Sequence, residues 1–242
     1  MKSVSVEVGK MRYEIRERED GKKAIFDING KQITREWFDW ISSYGLVKGE
    51  SDYYLARKDG KWAIFNVSGD RITDWFDYVS LEGLVLGQSQ YYIAKKNGKY
   101  AIFDKSGNQI SDWYDWIRED GLVSGESEYY VVKKNDKWAI FHKDGHMITP
   151  EWFDSVGKAG LVKGQSRYYI AKKDGKYAIF DINGNMITPE WFDWISSDGL
   201  VEGESDYYIA KKDGEYAIFH KDGRMITPEW FDYVSSYGLV EG

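Results

Sequence analysis

Six copies of the triplet Ala-Ile-Phe punctuate this 242-residue chain, with their phenylalanines at Phe26, Phe65, Phe103, Phe141, Phe180 and Phe219. Successive spacings are 39, 38, 38, 39 and 39 residues. A fixed period in that range marks a propeller, solenoid or array, in which one small unit cannot bury its apolar face alone and neighbours stack to do so. The one-residue wobble has a visible source. Copies with Thr-Pro-Glu-Trp, starting at Thr149, Thr188 and Thr227, or with Thr34-Arg35-Glu36-Trp37, are long; Thr73-Asp74-Trp75 and Ser111-Asp112-Trp113 are short. An indel there marks a bulge or loop. The units are 6–45, 46–83, 84–121, 122–160, 161–199 and 200–238, in a single repeat domain over 1–242.

Within the last units the pattern reads as an antiparallel meander. Residues 207–212 (Tyr-Tyr-Ile-Ala-Lys-Lys) form a first strand and residues 216–220 a second, joined by Asp213-Gly214, a strong signal for a two-residue hairpin with left-handed φ. Asp20-Gly21, Asp59-Gly60, Asn97-Gly98 and Asp174-Gly175 are its equivalents, and Asn135-Asp136 is the exception. A glycine turn then leads to a third strand from residue 225 through a kink at Pro228 to residue 234. A short fourth strand, like that over residues 199–203, is expected to link units. Side chains alternate along a strand, so Tyr216 and Ile218 face one way while Ala217 and Phe219 face the other. Both faces are apolar, and such a sheet must be sandwiched between neighbours.

Two all-β architectures satisfy this: a closed six-bladed, propeller-like toroid, or an open β-solenoid with a polar cap at each end. The first copy departs from the rest at Arg16-Glu17-Arg18-Glu19-Asp20, as a cap would. Gly238-Leu239-Val240-Glu241-Gly242 shows no such departure. Closure is the favoured expectation and the open array its alternative.

The Gly-Lys-Trp/Tyr-Ala-Ile-Phe core (Lys61-Trp62-Ala63-Ile64-Phe65; Lys137-Trp138-Ala139-Ile140-Phe141), with the Ile-Thr-Pro, aromatic-Asp and Gly-Leu-Val segments that follow, resembles the bacterial WG or KWG repeat. The resemblance covers nearly the whole chain, although its motifs are short and Trp-Ala or Tyr-Ala stands where that family has Trp-Gly. It implies β-hairpin repeats and no catalytic residues.

Aromatic residues make up 17% of the chain (11 Trp, 19 Tyr, 11 Phe), enough for short units to build a core together. The net charge of −7 and pI near 5.2 argue against nucleic acid or an anionic membrane as partner. Absence of cysteine removes disulfides, thiol nucleophiles and Cys-ligated metals. Residues 1–8 lack the apolar core of a signal peptide, and no apolar run approaches the roughly 20 residues of a membrane span. The expectation is a monomer that is cytoplasmic or has lost a leader.

One Asp recurs after the aromatic pair in every copy: Asp39, Asp77, Asp115, Asp154, Asp193 and Asp232. The next residue is Trp40, Tyr78, Trp116, Ser155, Trp194 and Tyr233. Asp beside an aromatic suits sugar binding, with the carboxylate accepting from hydroxyls and the ring stacking on the sugar face. The plainer reading has the Asp accepting backbone amides at a strand kink. Lysine-rich hairpin tips, such as Lys172, Lys173 and Lys176, suggest either a basic rim or charges that block edge pairing. Units differ most at Leu81-Glu82, Arg118-Glu119 and Gly157-Lys158-Ala159, which points to Arg118, Glu119 and Lys158 as a partner surface. Charge reversal at Arg118 and Lys158 should then weaken partner binding at an unchanged melting temperature. His142 and His220 share a repeat position two units apart and His146 stands by itself, so neither a metal site nor a cofactor is expected. The residues read as a non-enzymatic protein-interaction scaffold, with a multivalent glycan binder as the alternative and a structural spacer as a third reading.

Overall fold

The computed structural model describes residues 12–242, so the start of the first unit, residues 6–11, lies outside the described residues. Seventeen strands are found among the described residues. In chain order they are β1 (Tyr13–Glu17), β2 (Lys23–Asp27), β3 (Trp40–Ile41), β4 (Tyr53–Lys58), β5 (Lys61–Asn66), β6 (Tyr78–Val79), β7 (Tyr91–Lys96) and β8 (Lys99–Asp104). There follow β9 (Trp116–Ile117), β10 (Tyr129–Lys134), β11 (Lys137–His142), β12 (Ser155–Val156), β13 (Tyr168–Lys173), β14 (Lys176–Asp181), β15 (Trp194–Ile195), β16 (Tyr207–Lys212) and β17 (Glu215–His220). The chain divides into two compact units, one of residues 1–114 and 123–125 and the other of residues 115–122 and 126–242. The first holds sheets β1-β2, β3-β4-β5 and β6-β7-β8; the second holds β11-β10-β9, β12-β13-β14 and β15-β16-β17. The all-β repeat architecture read from the sequence is thus the architecture observed.

Each long pair is an antiparallel hairpin whose turn follows from its two residues. Asp59 and Gly60 both take positive φ (51° and 78°), as do Asp174 and Gly175, so Lys58 pairs directly with Lys61 and Lys173 with Lys176. Asn135-Asp136 adopts the same geometry without glycine. The first hairpin differs from its expected two-residue turn. Arg18 bonds to Lys22 across Glu19-Asp20-Gly21, one residue more than elsewhere, and of these only Gly21 has positive φ.

The third segment corrects the sequence expectation. It does not run as one strand beside its own hairpin but touches the second strand at two isolated bridges. Phe180 meets Met186 and Tyr177 meets Phe192, and Thr188-Pro189-Glu190-Trp191 bulges out between them. Beyond Asp193 the chain crosses to the next hairpin, where Trp194-Ile195 pairs with Lys211 and Ala210. Every three-stranded sheet therefore borrows its short edge strand from the preceding repeat. The expected fourth strand is also absent: residues 199–203 form turns, with Gly199 and Gly203 at φ of 76° and 79° and Glu204 N–H donating to Gly199 C=O at 2.8 Å. Left-handed glycines at both ends preclude an extended ladder there.

Burial on both faces is as the alternation predicts. In the first unit Ala63 and Phe65 pack back against Ile25, Phe38 and Tyr54, while Leu55 and Ile64 pack forward against Phe76, Tyr92 and Phe103. In the second, Val131 and Ile140 meet Phe153, Tyr169 and Phe180, and Ile179 meets Phe192, Tyr208 and Phe219. A stacked Tyr–Phe pair sits in each such layer, for example Tyr54–Phe65 at 5.3 Å and Tyr169–Phe180 at 5.7 Å. Burying one such ring contributes about 2–3 kcal/mol.

Candidate functional site

The crossing point between hairpins is where the repeated Asp stands, and its carboxylate has structural work. Asp39 Oδ2 accepts the N–H of Asp59 at 2.7 Å, Asp77 that of Asn97 at 3.0 Å and Asp115 that of Asn135 at 2.8 Å. Asp154 takes the N–H of Asp174 at 2.7 Å and Asp193 that of Asp213 at 2.8 Å. The other carboxylate oxygen pairs with a lysine of its own hairpin: Lys22 with Asp39, Lys61 with Asp77, Lys137 with Asp154, and Lys176 with Asp193 at 2.6 Å. The lysine bond first, and then the turn N–H, hold Asp39, Asp77, Asp154 and Asp193 below the usual aspartate range. This Asp clips one hairpin tip to the next. Asp232, in the last repeat, is exposed.

The residue after each Asp behaves differently. Its side chain leaves the core: Tyr78, Trp116 and Trp194 are 38%, 46% and 43% exposed, and Tyr233 is 77% exposed. Trp40 and Ser155 are half-buried at the same place. Three of these rings stand edge-on to an aromatic of the second strand, Trp40 to Trp62 at 5.2 Å, Tyr78 to Tyr100 at 6.5 Å and Trp194 to Tyr216 at 6.2 Å. The cross-strand partner supplies a cation over that second ring: Arg57 over Trp62, Lys95 over Tyr100, Lys133 over Trp138, Lys172 over Tyr177 and Lys211 over Tyr216, at 4.8 to 5.8 Å. Trp40, Tyr78 and Trp194 so each belong to a tile of a ring, a flanking ring and a cation, whereas Ser155 leaves the first ring out in the fourth repeat.

The remaining hairpin-tip lysines are largely paired. Lys58 meets Glu36, Lys173 meets Glu151 at 2.7 Å and Lys212 meets Glu190 at 2.7 Å, which tempers any basic rim.

Arg118, Glu119 and Lys158 do not form one kind of surface. Arg118 is half-buried, donates from Nη1 to the Val156 carbonyl at 2.9 Å and lies 4.6 Å over Trp138. Burial pulls its guanidinium pKa down, countered by Asp120. Reversing that charge removes an internal hydrogen bond, so an unchanged melting temperature is expected for Lys158, which is exposed, and no longer for Arg118. Glu119 is half-buried.

One grouping escaped the sequence reading. His142, Asp144 and His146 meet in a single turn, with His142 Nδ1 3.0 Å and His146 Nδ1 2.5 Å from Asp144 Oδ1. Asp144 is held at about 2 by the His146 N–H and then by the His142 ring. Two histidines flanking one glycine turn were the available signal.

No family model matches the chain, and no curated protein matches it. Among solved structures it is similar to Kluyveromyces lactis Hsv2, at 12% identity over 90% of this chain and 77% of that one, with a TM-score of 0.37. It is similar also to the β-propeller domain of Myceliophteria thermophila Cps50 (Swd1), at 12% identity, 91% and 83% coverage and a TM-score of 0.30. A eukaryotic initiation factor matches at 15% identity over 91% of this chain and 63% of that one, with a TM-score of 0.42. Superpositions this loose leave the fold to rest on the strand pairing itself.

Proposed function

We propose that this chain is a multivalent protein-interaction scaffold that binds extended, acidic peptide segments through its aromatic–cation tiles. The observation that carries the reading is the exposure of Tyr78, Trp116 and Trp194 at one repeat position, each beside a second ring or a lysine. Trp, Tyr and Arg are the residues on which binding energy concentrates, and a ring flanked by a cation suits a carboxylate-bearing strand. Single tiles would bind weakly and gain through repetition. The same rings suit the faces of sugars, but the repeated Asp oxygens are already spent on turn N–H groups and lysines, which favours the peptide reading.

The test is selection from a displayed random-peptide library against the full chain, beside a glycan array. Enrichment of acidic peptides, lost in Trp116→Ala/Trp194→Ala with the melting temperature kept, is the expected result. Glycan binding without peptide enrichment would transfer the tiles to carbohydrate.

A further inference from the structure

The turn of the fourth repeat, His142-Lys143-Asp144-Gly145-His146, brings two imidazoles and a carboxylate together. The sixth repeat builds the same turn from His220-Lys221-Asp222-Gly223-Arg224. Gly145 donates to His142 C=O at 2.9 Å, and Gly223 to His220 C=O at 2.9 Å. Its His220 Nδ1 lies 3.1 Å from Asp222, so only the second histidine is peculiar to the fourth repeat. Asp104 and Asp181 close the equivalent turns elsewhere by accepting backbone N–H groups.

The protons on His142 follow from its partners. Its Nε2 lies 3.3 Å from Glu128 Oε2, and its Nδ1 accepts the Asp144 N–H at 3.4 Å. In the neutral ring those bonds place the hydrogen on Nε2 and leave the lone pair on Nδ1. That lone pair faces a carboxylate oxygen at 3.0 Å, and the second imidazole nitrogen points at the same oxygen. The His146 backbone N–H donates to that oxygen at 3.1 Å, and a metal cation standing in place of a ring proton would draw the two imidazole nitrogens and the carboxylate oxygen together.

We propose that His142 Nδ1, His146 Nδ1 and an Asp144 carboxylate oxygen bind one divalent transition-metal ion of the zinc class. Two imidazoles and a carboxylate suit Zn2+, Co2+, Ni2+ or Cu2+ and not the oxygen-seeking Mg2+ or Ca2+. The three donor atoms lie within 4.8 Å of one another. With bonds of about 2.1 Å, two donors on one ion stand up to about 4.2 Å apart, and the exposed His146 ring can rotate to close the difference. Glu128 on the far ring nitrogen is the carboxylate that orients a metal-bound histidine and raises its basicity. The fourth position faces solvent and takes water.

The test is calorimetric titration of the full chain with Zn2+ at about pH 7.5, above the histidine range, together with imidazole NMR. The expected result is one Zn2+ per chain, with the ring resonances of His142 and His146 displaced and those of His220 unmoved. His146→Arg copies the sixth repeat's own turn and so retains the fold; it should weaken Zn2+ by at least about tenfold. Absence of heat and of ring shifts in excess Zn2+ would overturn the site. So would equal affinity in His146→Arg, which would assign the ion to carboxylates elsewhere.

Discussion

Asp193 joins two hairpins with one carboxylate, taking Lys176 from its own hairpin and the Asp213 N–H from the next. Its folded pKa is depressed, so its contribution is present above the unfolded value of about 3.9 and is lost as pH falls through the folded value. Lys176 is raised by the same bond, so its share is present below about 10.4 and is lost as pH climbs through the folded value. Wild-type melting temperature should therefore hold a plateau between those limits and fall on either side. Asp193→Asn, which keeps an oxygen for the turn N–H but no charge for Lys176, should shrink both shoulders by one clip's share, the clips at Asp39, Asp77 and Asp154 keeping theirs. Asp193→Ala should lower the plateau further than Asp193→Asn does. A thermal-melt series against pH reads all three, and identical profiles would deny the clip. The clip was legible as an amide-accepting Asp at a kink, whereas its lysine was not, since residues 17 apart carry no periodic signal.

At the scale of elements, Gly160 and Gly175 separate two uses of the same residue. Both have positive φ, 75° and 81°. A Cβ on Gly175 would meet nothing within 4 Å, whereas one on Gly160 would stand 2.2 Å from the Tyr168 carbonyl and 2.7 Å from that of Val201. Gly175→Ala should cost about 1 kcal/mol through backbone strain alone. Gly160→Ala should cost roughly 3 kcal/mol or more, because two carbonyls of the stacked turns must also move. Denaturant melts would separate them, and equal losses would deny the close approach. The hairpins are legible in the sequence because Asp-Gly and two-residue alternation are local signals. Residues 199–203 read as a strand because Leu200-Val201 is short and apolar, and only the flanking glycines argue otherwise. The third segment reads as part of its own repeat, since a two-residue strand such as Trp194-Ile195 has no period to reveal its partner. That the position after the Asp leaves the core is legible only through its variation, Ser155 above all.

Across the whole molecule, the net charge of −7 coexists with lysines held by ion pairs and over aromatic rings, so acidity and local cationic tiles are compatible. Repetition permits a test that no single substitution offers. Removing residues 161–199 joins Gly160 to Leu200 and restores Gly-Leu-Val at the seam. The short strand at Ser155-Val156 would then meet the hairpin β16-β17 in place of β13-β14. The shortened chain should unfold cooperatively with an m-value lower by about one-sixth; loss of the β-sheet circular dichroism would show that repeats are not interchangeable.

The borrowed edge strand gives this chain two different phases. A gene segment that copies one 39-residue stretch inherits, at its end, a strand that completes somebody else's sheet. The unit of inheritance and the unit of hydrogen bonding are offset, as courses of brick are, and no vertical seam runs through the wall. A duplication that begins anywhere in the period yields the same continuous bond, provided that its length is right. The length of a copied segment, and not the place where it starts, is what this architecture requires of its own history.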